Sequence, residues 1–187
     1  MSTYQAAPCL SASTRRNWPL SSAIPPLAAL PTVPALARIF VRATLHAWHQ
    51  DSLVQDAELI VSELTGNAVT ASADTDGRPV YVDGHIPVIR VCLLTDGVRL
   101  LIEVRDQAPG IPVLRQVADH EESGRGLVLV SAISNTWGWN PAKGQQGKVV
   151  WAELSLLEDH LGAATAGVRN GAPDGILVRV RDALRCL

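Results

Sequence analysis

The sequence predicts an α+β fold, a largely antiparallel sheet with helices on one face. Three observations predict it. Two segments of helical apolar period, 33–50 and 51–72, follow one another with no strand between them. Two later segments, 88–105 and 136–156, each read as a hairpin, with apolar runs on either side of a Gly-containing turn. Between the hairpins lies one short apolar helix, 126–133, so the order is ααββαββ. That order joins strands to their sequence neighbours and lacks the alternating βαβ pattern of a parallel sheet.

The first helix opens at Val33. Leu36, Ile39, Phe40, Ala43, Ala47 and Trp48 recur at helical spacing and carry it to about Gln50. Asp51 can cap a second helix, whose stripe is Leu53, Ala57, Ile60, Leu64 and Ala68. That helix ends near Ser72, because Asp74-Thr75-Asp76-Gly77-Arg78-Pro79 is turn chemistry. Val88 to Thr95 is a β-branched apolar run, Asp96-Gly97 signals a two-residue turn, and Val98 to Arg105 returns. In the returning strand Val98, Leu100, Ile102 and Val104 alternate with Arg99, Leu101, Glu103 and Arg105, so one face is buried. Pro109, Gly110 and Pro112 exclude regular structure throughout 106–123. Thr136–Trp139 and Lys148–Leu156 form the closing hairpin, where Trp137, Trp139 and Trp151 read as core or sheet-face packing.

Composition narrows the class. Of 187 residues, 47% are hydrophobic and 18% charged, which gives enough apolar material for one sizeable core and excludes a mainly disordered chain. Lys and Arg number 16 against 18 Asp and Glu, and this balance of −2 offers no basic footprint for direct nucleic-acid binding. Cys9, Cys92 and Cys186 are far apart and form no CxxC pair, which favours a reducing cytoplasm over a disulfide framework. No run approaches the ~18 consecutive apolar residues of a membrane span. Half of the 12 prolines, at positions 8, 19, 25, 26, 31 and 34, crowd the N-terminal stretch, so residues 1–31 are expected to be a poorly ordered extension. Ser13-Thr14-Arg15-Arg16 faintly resembles a twin-arginine export signal, but prolines break the apolar run behind it. Residues 32–157 are expected to form the domain, and 158–187 a C-terminal extension of unassigned structure in which Ile176–Val180 alternates weakly.

Four short patterns carry chemistry. Glu63 and Asn67 stand at i and i+4 on the second helix, about 6 Å apart on one face. A carboxylate there can take a proton from an attacking hydroxyl, and an amide oxygen suits magnesium, although such a pair can also simply solvate a helix. Asp106-Gln107-Ala108-Pro109-Gly110 leaves a strand end and can present a carboxylate to a base edge, or be an ordinary turn. Gly124-Arg125-Gly126-Leu127 opens a helix, where glycines let N–H groups approach phosphate, although glycine before a helix is also common packing punctuation. Gly147-Lys148-Val149-Val150-Trp151 enters the last strand. No GxxxxGK[ST] occurs, which excludes a P-loop. His46 and His49 lie at i and i+3, and with no carboxylate or cysteine beside them a solvated helix end is expected.

In this order and spacing the four patterns resemble the GHKL ATPases over residues 33–157, and within them the short anti-sigma factor serine/threonine kinases (RsbW/SpoIIAB-like). The resemblance implies a Bergerat-type two-layer α/β sandwich that binds ATP with Mg2+. It matches Glu63 to the acid that activates the attacking group and Asn67 to the magnesium ligand. Asp106 matches the acceptor of the adenine amino group and Gly110 the glycine beside the base. Gly124 and Gly126, with Arg125 between them, match the phosphate-side glycine box. Residues 111–123 would be a short lid carrying Asp119, Glu121 and Glu122. The implied partners are a sigma factor or an anti-sigma-antagonist protein, with a homodimer and a cytoplasmic location expected. Two positions depart from the pattern: residue 108 is Ala where the glycine box has Gly, and Lys148 and Val149 leave no Thr in the closing strand. A binding module that controls a partner without phosphotransfer is the second reading.

Overall fold

Pro34 stands in the first turn of the first helix, where a missing N–H costs nothing because no helical carbonyl awaits it. That helix, α1, spans Val33–Ala47 in the computed structural model, which describes residues 18–81, 84–112, 126–142 and 146–156. A single 3-10 turn, Asp51–Leu53, leads into α2, Val54–Ala71. Asp51 donates no cap to it; its carboxylate instead meets Nδ1 of His46. The expectation of a histidine pair with no carboxylate nearby is thereby corrected.

α2 buries the predicted stripe, with Ala57, Ile60, Leu64 and Ala68 all in the core. Full burial of a side chain such as Ile60 contributes roughly 1.5–3 kcal/mol. Thr65 is equally buried, which its hydroxyl tolerates by donating to the Val61 carbonyl one turn back at 2.6 Å. The face of α1 is rotated from the expected one. Val33, Ala37, Val41, Thr44 and Leu45 turn inward, while Leu36 and Ile39 are 43% and 63% exposed. Both stripes have helical period, and the choice between them falls to the sheet and α2 beneath.

The sheet holds β3 (Val88–Thr95), β4 (Arg99–Asp106), β5 (Thr136–Pro141) and β6 (Lys148–Ser155), all paired antiparallel. The first turn falls one residue later than expected, at Gly97-Val98, because the Asp96 carboxylate accepts from the N–H groups of Val98 and Arg99. Two further strands lie inside the stretch expected to be poorly ordered. β1 (Leu20–Ala23) and β2 (Leu27–Ala28) both pair with the outer edge of β3. Pro25 and Pro26, which suggested disorder, sit in the break between them, where a missing donor interrupts no ladder. The order is β1-β3-β4-β6-β5, with β2 beside β3.

Alternation assigns the two faces. Val91, Leu93, Leu100, Ile102, Val104, Val150 and Ala152 join the three helices, the third being α3 (Gly126–Ile133), in the main core. Cys92, Leu94 and Leu101 form a smaller cluster on the other face with Trp18 and Trp151. Trp137 is core and Trp139 packs against it. The layers are those of the α+β GHKL-type sandwich. No helix among the described residues is long and apolar enough to cross a membrane. Residues 1–17 and 157–187, including Cys9, Cys186 and Ile176–Val180, lie outside the described residues.

Candidate functional site

Glu63 and Asn67 project from the middle of α2, half-buried and exposed respectively. Gly66 shares their face, and the place its side chain would occupy meets no atom within 4 Å. Among the described residues neither polar side chain is held by a hydrogen bond or ion pair. The first residue of α3 closes on this face. A Cβ on Gly126 would fall 2.5 Å from Glu63 Oε2 and 3.4 Å from Asn67 Nδ2. Glycine at 126 is therefore what lets α3 begin against the pair, and the arrangement places a helix N-terminus beside a carboxylate and an amide. The α3 end is where backbone N–H groups are left without helical partners. Gly124, Arg125 and the carboxylates at 119, 121 and 122 lie outside the described residues, as does most of the expected lid.

The second cluster sits at the far end of β4. Asp106 continues the core-facing series Ile102 and Val104, and Lys148 continues Val150 backwards along β6, so the two stand on the helix side of the sheet. Register pairs them directly across the β4–β6 ladder. Lys148 Nζ donates to Asp106 Oδ1 at 2.9 Å and reaches the Ala108 carbonyl at 3.4 Å. The Ala108 N–H donates to the same Oδ1 at 2.9 Å. Burial pushes the Asp106 carboxyl above the usual aspartate range, while the Lys148 ammonium and the Ala108 N–H pull it down without cancelling the rise.

Glycine makes this crossing possible. Gly147 has φ +103°, and a Cβ there would fall 1.9 Å from the Asp106 carbonyl oxygen, so no other residue fits. Gly110 has φ +94° with open space around it and is needed for its backbone conformation alone. Ala108 carries no such demand. His49 is the one described residue other than glycine with positive φ, so alanine at 108 meets the loop without strain. The Gln107 side chain fixes the same loop by accepting from the Val88 N–H at 2.8 Å.

One cluster thus stands where α2 meets α3, and the other on the helix side of the β4–β6 ladder. The histidine kinase-like ATPase domain family matches residues 27–154, well over half of the chain. The chain belongs to that family. Membership implies ATP binding, and the residues present fit a nucleotide. Asp106 Oδ2 receives no hydrogen bond from a described residue, and Asn67 and the Gly66 face of α2 are open. No curated protein matches the chain significantly. Among the described residues there is no group of three or more His, Cys, Asp or Glu that could hold a metal ion. Sequence reasoning treated Lys148 only as a missing hydroxyl. Its pairing with Asp106 depends on β6 lying beside β4, which the sheet order decides and local sequence does not.

Proposed function

We propose that the protein is an ATP-dependent regulator of the anti-sigma factor serine/threonine kinase type, passing the γ-phosphoryl group of ATP to a protein hydroxyl. The observation that carries this reading is the contact of Gly126 with Glu63 and Asn67, which gathers a carboxylate, an amide and a helix N-terminus at one place. Bound ATP with magnesium supplies the phosphoryl group and most of the charge to be balanced. Asn67 holds the metal through its amide oxygen. The α3 N-terminus faces the phosphates, and Asp106 accepts from the base. Glu63 takes the proton of a serine or threonine hydroxyl as its oxygen bonds to phosphorus, the bond to the β-phosphate oxygen breaks, and ADP leaves. The protein substrate belongs to the same proposal: an anti-sigma-antagonist, with a sigma factor as the controlled partner, a homodimer as the working unit and the cytoplasm as its location.

A second reading is a module that sequesters its partner without phosphotransfer. It draws on the Lys148–Asp106 pair, which engages part of the base acceptor before any nucleotide arrives. Calorimetry with ATP, with and without magnesium, on wild type and Asn67→Ala separates these readings from a fold that holds no nucleotide. Magnesium-dependent binding that collapses in Asn67→Ala supports the site. Transfer of labelled γ-phosphate to a partner, lost in Glu63→Ala while nucleotide and partner still bind, supports the kinase; an unchanged Glu63→Ala supports sequestration.

A further inference from the structure

The base end of the site carries a buried cation that the family resemblance does not explain. Lys148 and Asp106 have side-chain exposures of 8% and 2%, so their ion pair lies almost wholly out of water. Taking a charged pair out of water is costly, and a neutral pair of residues would fill the same ladder position without that cost. Oδ1 of Asp106 is saturated by Nζ and by the Ala108 N–H. Oδ2 has no hydrogen bond from a described residue. Of the three ammonium protons of Lys148, two are directed at Oδ1 and at the Ala108 carbonyl, leaving one without a described partner.

What remains of the pair is therefore one anionic acceptor beside one cationic donor, fixed by the strand register and by Gly147. A base edge that complements them has a donor next to an acceptor. Adenine presents that pattern as its amino group beside the unprotonated ring nitrogen N1, as cytosine does with its amino group and N3, whereas guanine and uracil present a carbonyl beside an N–H. Between the first two, the ATPase family selects adenine.

We propose that Lys148 reads the base, its ammonium donating to adenine N1 while Asp106 Oδ2 accepts from the amino group. This rests on the nucleotide reading above and gives it a specificity-determining residue. The lysine supplies a charge-assisted hydrogen bond, which is shorter and stronger than a hydroxyl or a water would make. It also keeps Asp106 in the orientation the amino group needs.

The test compares ATP with 1-deaza-ATP, in which a C–H replaces N1 and the amino group and triphosphate are kept. Affinities are measured by calorimetry with magnesium on the full chain and on Lys148→Met. The wild type is expected to bind the deaza analogue about tenfold or more weakly, the usual effect of losing one charge-assisted bond. Lys148→Met is expected to bind both nucleotides alike, at the weaker level. Equal binding of the two by the wild type overturns the proposal, and that comparison needs no variant to fold. A Lys148→Met protein, shown folded by circular dichroism, that still discriminates also overturns it, because lysine then only pins Asp106. GTP binding more tightly than ATP overturns the assigned base. A wild type that binds no ATP at all sinks the nucleotide reading itself, an outcome distinct from binding without discrimination.

Discussion

The two ends of the site are built on opposite principles. At the Asp106 end every contact is internal: the carboxylate is held by Lys148 and the Ala108 N–H, the loop by Gln107, and the crossing by a glycine with no room to spare. At the Glu63 end the polar groups are unengaged among the described residues, and the start of α3 at Gly126 comes close to them. The difference separates rigidity from readiness. One end is a fixed template whose geometry precedes any ligand, and the other leaves its hydrogen-bonding capacity for whatever arrives.

Alanine at the two close-packed glycines breaks this comparison most directly. Gly147→Ala adds a Cβ against backbone that cannot retreat, at a φ that disfavours side chains, and is expected to cost about 3 kcal/mol or more. Gly126→Ala meets the end of the flexible Glu63 side chain, so its melting temperature should stay within a degree or two of wild type. It displaces the carboxylate, however, and phosphotransfer is expected to fall by about a hundredfold. Thermal denaturation and a transfer assay on the same two proteins decide the matter. Equal melting temperatures would show that the Asp106 end is not the rigid one.

Asp106→Ala comes next. It leaves the buried Lys148 ammonium with neither a counter-charge nor a side-chain acceptor and is expected to cost roughly 3 kcal/mol in urea unfolding. Adding Lys148→Met should return most of that loss, and failure to do so would mean that the two residues do not act as one unit.

Acidity probes the same end more gently. Because burial raises the folded pKa of Asp106, the folded chain holds more protons than the unfolded chain between the ordinary aspartate pKa and the raised one. This group's contribution to stability is therefore complete below the ordinary value and declines as pH rises through the raised one. Nucleotide binding, which uses the ionised carboxylate, should run the other way and weaken on acidification at a higher pH than an ordinary aspartate would give. Urea unfolding and calorimetric nucleotide titration from about pH 3 to about pH 8, which spans the ordinary aspartate value and the range above it, check the two signs.

The smallest effect lies at the open end. Gly66→Ala fills empty space in a helix interior and is expected to add about 0.5–1 kcal/mol of stability. A loss instead would show that the face is already covered.

Local chemistry made most of the fold legible. The stripe Ala57, Ile60, Leu64, Ala68 and the turns near Asp74 and Asp96 are decided by neighbours in sequence, and α2 and the two hairpins follow from them. What escaped was decided at a distance. β1 and β2 exist because β3 offers them an edge, which no reading of a proline-rich stretch by itself can supply. The inward face of α1 was misassigned for the same reason: Leu36 and Ile39 are as apolar as Val41 and Leu45, and only the layers beneath choose between them. In the site, the placement of Glu63 beside Asn67 is a property of helical spacing. The partnership of Lys148 with Asp106 crosses 42 positions and depends on which strands the sheet makes neighbours.

The divided strand beside β3 has a consequence for how copies of this protein meet one another. A long bare strand edge invites a second molecule to add its own strand, and repetition of that step builds filaments. Here the edge is occupied by a four-residue piece and a two-residue piece with Pro25 and Pro26 between them. The outermost ladder is therefore short, interrupted and missing two donors. β1 lies ahead of the matched region, which begins at Leu27, whereas β2 lies inside it. A chain trimmed to the matched region would keep its core and its site residues while baring Cys92–Thr95, turning a quiet border into a seed for self-stacking.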